Sequence, residues 1–135
     1  MKTYEILEHK ADLRIRAFGR TKEELFLNTL KGMSDSQTAE TEEGTIVKRE
    51  LRVLSSDLPA LLVDFLSEIL YLEQINKEIY SRVEFKKFTE KEIEAEISGK
   101  KVIRLGTDIK AVTYHEIDVR QKENREWEAT IIFDI

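Results

Sequence analysis

The sequence predicts an α+β fold: a mostly antiparallel or mixed sheet packed with two main helices, in one domain spanning residues 1–135. Three observations predict it. Period-two alternation recurs along the chain, as where Leu13, Ile15 and Ala17 oppose Asp12, Arg14 and Arg16. Two stretches, opening near Thr21 and Asp57, carry apolar residues at helical spacing behind helix-start signals. Strands precede and follow these helices without a regular strand–helix–strand alternation, which argues against a parallel doubly wound sheet.

Taken in order, residues 3–9 and 12–18 form a strand pair with an irregular corner around His9–Asp12, and Gly19 ends the second strand. Thr21 and Glu24 make a capping box for a helix with an apolar stripe of Leu25, Phe26, Leu30 and Met33. Gly32 and the run Ser34–Asp35–Ser36 are expected to end it, and residues 38–44 read as an acidic loop. Residues 45–54 form a strand with Val47, Leu51 and Val53 on one side. Ser56, Asp57 and Pro59 then open a second helix, proline being tolerated in a first turn. Leu61, Leu62, Phe65, Leu66, Ile69 and Leu70 give it a wide buried face. Strands follow at 80–88 and 92–98, the second alternating Ile93, Ala95 and Ile97 with Glu92, Glu94 and Glu96, and a turn is expected at Gly99–Lys100. The last third reads as a hairpin: 108–120, a polar turn at 122–125, and 127–135 with Trp127, Ala129, Ile131 and Phe133 inward.

Composition narrows the function. At 135 residues the chain can bury a core without staples, and it contains no cysteine. Disulfides, thiolate metal sites and cysteine nucleophiles are therefore excluded. Charged residues make up 36% of the chain, above the usual share of about 25%. The net charge of −5 argues against a dedicated nucleic-acid binder. The first ten residues hold two lysines and two glutamates, unlike a signal peptide, and Asp64 and Glu68 interrupt the apolar run 58–72. A cytoplasmic protein with no membrane association is expected.

No glycine-rich loop follows a strand, so the phosphate-cradling motifs are missing. The two histidines, His9 and His115, lie far apart, and none of the seven serines sits in a nucleophile motif. The more informative group is acidic. Asp12 stands at a strand start and Asp134 in the last strand, each on the face opposite the apolar residues. If the last strand is held in a sheet, the carboxylate of Ile135 lies beside Asp134, and Asp12 would complete an all-oxygen site for a hard cation. The competing reading has Asp12 capping a turn and Asp134 paired with Arg14 or Arg16; spacing alone favours this one and does not bring the two ends together. Lys110 and His115, set among apolar residues, are candidates for contact with a nucleotide, a partner or a carboxylate, against a reading as a surface lysine and a half-buried ring.

Three segments carry a resemblance to a known family: Glu8-His9-Lys10-Ala11-Asp12-Leu13-Arg14-Ile15-Arg16-Ala17-Phe18-Gly19, the helix 57–70 from Asp57-Leu58-Pro59 to Ile69-Leu70, and Ile109-Lys110-Ala111-Val112-Thr113-Tyr114-His115 with the terminal Phe133-Asp134-Ile135. Together and in this order they resemble the archease family along the whole chain. Lys10 stands where a threonine is expected and Ser67 where an asparagine is usual; Lys10 bears on metal affinity near Asp12. The resemblance implies a non-catalytic accessory protein that activates the RtcB-type tRNA-splicing RNA ligase. It would promote the ligase's guanylylation and turnover and broaden its nucleotide use, meeting tRNA only through that partner. It implies a divalent cation, calcium first with magnesium or manganese as alternates, held by Asp12, Asp134 and Ile135. A second role implied by the family is that of a chaperone-like modulator of a tRNA-modifying methyltransferase.

Overall fold

The computed structural model describes residues 1–9 and 12–135, with side chains for 1–7 and 12–135. Lys10 and the middle of the corner expected at residues 9–12 lie outside the described residues. The described elements run β1 (Tyr4–His9), β2 (Asp12–Gly19), α1 (Lys22–Ser36), β3 (Glu40–Thr41), β4 (Val47–Leu54), α2 (Leu58–Asn76), β5 (Glu78–Phe88), β6 (Glu92–Arg104), β7 (Ala111–Gln121) and β8 (Trp127–Asp134). They form two sheets. One has the order β1-β2-β8-β7; the other is built on β6, which pairs with β3, β4 and β5, and every pairing is antiparallel. The fold class is the α+β class the sequence predicts.

The helices form a layer between the sheets. α1 touches β1, β2 and β8 on one side and β5 on the other; α2 touches β7 on one side and β4, β5 and β6 on the other. A helix covered on two sides must be apolar around much of its circumference. α2 accordingly buries Leu58, Leu61, Leu62, Val63, Phe65, Leu66, Ile69 and Leu70. Around Phe26 and Phe65 the core is aromatic, with Phe85 and Phe88 completing a chain of tilted and edge-on contacts at centroid separations of 5.0–5.8 Å. Both helix starts follow the sequence signals. Thr21 accepts from the Glu24 backbone N–H at 3.0 Å, Glu24 accepts from that of Arg20 at 3.1 Å, and Asp57 accepts from that of Ala60 at 2.9 Å.

The structure corrects two local expectations and sharpens a third. α1 ends at Ser36, within the Ser34–Asp35–Ser36 run expected to end it, and passes through Gly32 without stopping. A Cβ there would lie 3.1 Å from Ile15 and 3.2 Å from Tyr4, so the missing side chain lets the helix sit close on β1 and β2. The acidic loop contains β3, which pairs with the far end of β6. Gly99 and Lys100 make no turn and lie inside β6, where Gly99 passes so close to the β5 backbone that a Cβ would stand 1.8 Å from the Ile79 carbonyl oxygen. β5 is bulged at that point: Tyr80 faces Gly99 and Arg82 faces Ser98, leaving Ser81 extra.

Two buried carboxylates tie the layers together. Glu73 of α2, 5% exposed, accepts from Gln37 Nε2 and from the Tyr80 backbone N–H, each at 3.0 Å. Glu78 is held by a bidentate pair with Arg49 at 2.9 and 3.0 Å and by the Tyr80 hydroxyl at 2.6 Å. No helix among the described residues is long and apolar enough to cross a membrane.

Candidate functional site

The β2–β8 ladder settles the placement that spacing alone left open. Asp12 is directly opposite Asp134, followed by Leu13–Phe133, Arg14–Ile132, Ile15–Ile131 and onward to Gly19–Trp127. Side chains of directly opposed residues leave the sheet on the same side, about 4.5–5.5 Å apart at Cβ. The buried Ile15, Ala17, Ile131 and Phe133 face the helices, so Asp12 and Asp134 share the outer face. Asp12 is half-buried, while Asp134 and Ile135 are exposed. Ala111 of β7 completes this row beyond Asp134, and the Lys110 backbone N–H donates to the Asp134 carbonyl at 2.7 Å. The end of the last strand is therefore held from both sides.

Neither arginine that could have neutralised Asp134 does so. Arg14 pairs with Glu116 at 3.1 Å, and Arg16 lies between Glu5 at 3.9 Å and Glu128 at 3.8 Å. Among the described residues no group of three His, Cys, Asp or Glu side chains converges as a metal cage. The donor set offered here is two opposed aspartates with Ile135 adjacent. It contains only oxygen and opens to solvent, which suits a hard cation that keeps part of its water shell.

In the next row inward, Arg14 and Thr113 flank Ile132. Arg14 Nε and Thr113 Oγ1 are buried without a hydrogen-bond partner among the described residues. Beyond Thr113, β7 bulges: residues 114–117 have no counterpart on β8. Tyr114 donates to Asp64 of α2, which also accepts from Ser55; the bond to Asp64 raises the tyrosine's pKa. Asp64, which interrupts an apolar run in the sequence, is thus the anchor of the β7 bulge. Glu116 adopts a left-handed conformation, φ 54°, and from there reaches Arg14.

The structure therefore separates the two other sequence candidates. Lys110 lies beside Asp134. His115 sits four residues along β7 in the bulge, exposed, with its Nε2 3.8 Å from Glu116. Sequence reasoning missed Glu116 as the partner of Arg14, because the bulge beyond Thr113 breaks the alternation that would have placed it.

The comparisons agree with this architecture. The profile of the Archease protein family (MTH1598/TM1083) matches residues 4–135. The protein archease of Methanosarcina mazei is 35% identical over 142 aligned positions, covering 99% of this chain and 97% of the relative. That of Pyrococcus abyssi is 30% identical with both chains fully covered. Among solved structures, protein 1598 of Methanobacterium thermoautotrophicum superposes with a TM-score of 0.71 at 22% identity, both chains fully covered. An archease of Thermotoga maritima, described as a possible chaperone, gives 0.69 at 21% identity over 96% of this chain and 94% of its own. With a profile spanning nearly the whole sequence, relatives above 30% identity and the same layered fold, this chain belongs to the archease family.

Proposed function

We propose that this protein is a cytoplasmic, non-catalytic accessory factor that activates an RtcB-type RNA ligase, promoting its guanylylation and turnover and broadening its nucleotide use. The observation that supports this reading best is the register of Asp12 against Asp134 at a strand end held open to solvent. Asp12, Asp134 and the carboxylate of Ile135 would hold a hard divalent cation, calcium first and magnesium or manganese as alternates. Bound there, such an ion would supply positive charge beside the carboxylates, the chemistry that attracts phosphate.

The chain's own residues do the remaining work. The antiparallel ladder presents the two aspartates on one face, and the Lys110–Asp134 backbone bond fixes the strand end. Lys110 is exposed beside this end, has no ion-pair partner among the described residues, and can neutralise phosphate charge. The net charge of −5 favours approach to the basic surface of an RNA-binding enzyme.

The test is GMP loading of a cognate ligase with the native protein, with Asp12→Ala and with Asp134→Ala, each variant checked for an unchanged melting transition. Native protein should accelerate loading, and each variant should lose about tenfold or more of that acceleration. Equal acceleration by folded variants would remove the acidic pair from the mechanism. The description of the Thermotoga relative as a possible chaperone supports a second reading, modulation of a tRNA methyltransferase. That reading expects stimulation of the methyltransferase to survive both substitutions.

A further inference from the structure

The outer face of the second sheet is neutralised by ion pairs over part of its length. Arg52 pairs with Glu92 and Glu94, Lys87 with Glu92, and Lys86 with Glu50, at 2.7–3.6 Å. At the other end the pattern fails. Lys48 of β4 and Arg82 of β5 lie in register on either side of Ser98, and Lys100 follows two residues along β6 on the same face. Lys48 reaches only Glu96, at 3.7 Å. Among the described residues, neither Arg82 nor Lys100 has a carboxylate within ion-pair distance. Three cations thus collect at one end of a sheet in a protein whose net charge is −5.

This end is also concave. The Ser81 bulge and the close passage of Gly99 leave a hollow of about 410 Å³ lined by Thr41, Ser81, Arg82, Ser98 and Lys100 together with Ile79 and Ile46, the latter 59% exposed. Side-chain hydroxyls beside arginine and lysine are the groups that contact phosphate and sugar oxygens in nucleic-acid complexes. The spacing suits more than one phosphate. Neighbouring strands lie about 4.8 Å apart, so the Lys48 and Arg82 backbones are separated by about 10 Å, with Lys100 displaced about 7 Å along the strand from Ser98.

We propose that this end of the second sheet binds the phosphodiester backbone of a single RNA strand. The contact is sequence-independent and electrostatic, and the protein's overall negative charge confines it to modest affinity. It lies in the sheet that does not contain Asp12 and Asp134, so it stands or falls separately from ligase activation.

The test is fluorescence anisotropy of the isolated protein with a labelled, unstructured RNA of about 12 nucleotides, over a series of salt concentrations. The native protein should bind at low salt, and the logarithm of its affinity should fall linearly with that of salt concentration. Each phosphate contact on a single strand contributes about 0.7 to that slope. Arg82→Ser combined with Lys100→Ser should therefore flatten the slope by about 1.4 and weaken low-salt binding tenfold or more, with melting unchanged because both side chains are exposed. Lys31→Ser combined with Lys91→Ser makes the same change in net charge elsewhere and should leave the slope unchanged. The proposal is overturned by no binding at the lowest salt, by an unaltered slope in the Arg82/Lys100 variant, or by equal flattening in the control pair. It is also overturned if a glutamate polymer displaces the RNA and binds with the same dependence on Arg82 and Lys100, which would assign the hollow to an acidic polypeptide.

Discussion

Glu73 shows what a single buried carboxylate does to the pH response of the fold. Burial among Gln37, Tyr80 and the second helix raises its pKa from 4.5 to about 7, against the two hydrogen bonds that favour its charged form. The native state therefore holds this proton at pH values where the unfolded chain has released it. Stability from this group is fully present below about 4.5, falls as pH rises from there to about 7, and is flat above. Glu73→Gln keeps the shape and the acceptor for the Tyr80 N–H while removing the titration. Relative to the native protein, the variant should gain stability as pH rises from 5 to 8, by about 1–3 kcal/mol, read as a difference in urea midpoints. A constant difference across this range would mean that Glu73 does not titrate there. Sequence reasoning did not single out Glu73, although it stands three and four residues beyond Leu70 and Ile69 and so continues the buried face of α2. The acidic pair was partly legible. Alternation set Asp12 and Asp134 each on an outward face, but no local pattern specifies which strands pair across a separation of 122 residues (134 minus 12).

At the scale of elements, the strands and helices were readable wherever one face is apolar, and misread where a glycine has a packing role. At Gly99 a Cβ would stand 1.8 Å from a backbone oxygen, too close for any side chain, whereas at Gly32 it would meet the Ile15 and Tyr4 side chains at 3.1 and 3.2 Å, a tight contact that needs a small shift. Glycine at a turn and glycine at a close contact look alike in sequence. Gly99→Ala tests this directly. Its Cβ would collide with the Ile79 carbonyl, a backbone atom that cannot rotate away, so β5 and β6 must separate locally. The expected loss is about 2–4 kcal/mol by chemical denaturation. A loss under about 0.5 kcal/mol would show that the bulge at Ser81 relaxes freely, as ordinary surface substitutions do.

For the molecule as a whole, the helical layer shared by both sheets makes one continuous hydrophobic cluster, from Ile15 and Phe133 through α1 and α2 to Val53 and Ile97. Neither sheet can lose its packing without exposing the helices to water, so unfolding should be a single cooperative event. Trp127, the only tryptophan, sits half-buried in β8 with the Lys22 ammonium 5.4 Å from its ring centre. Its fluorescence transition should superimpose on the far-ultraviolet circular dichroism transition; separated midpoints would mean that the first sheet melts on its own. The wide apolar face of α2 hinted at this layering in the sequence, but the division of strands between two sheets did not show, because alternation marks a strand's faces and not its neighbours. The position of β8 between β2 and β7 carries a further consequence, in the timing of synthesis. The second sheet has all its strands once Arg104 has left the ribosome. The first sheet cannot form until Asp134 emerges, which at about 5–20 residues per second is roughly 2–6 s later. Through that interval β2 has one edge open and half of the helical layer is uncovered. The nascent chain is then most exposed to wrong pairings, and a chaperone acting on it would find its binding surface there.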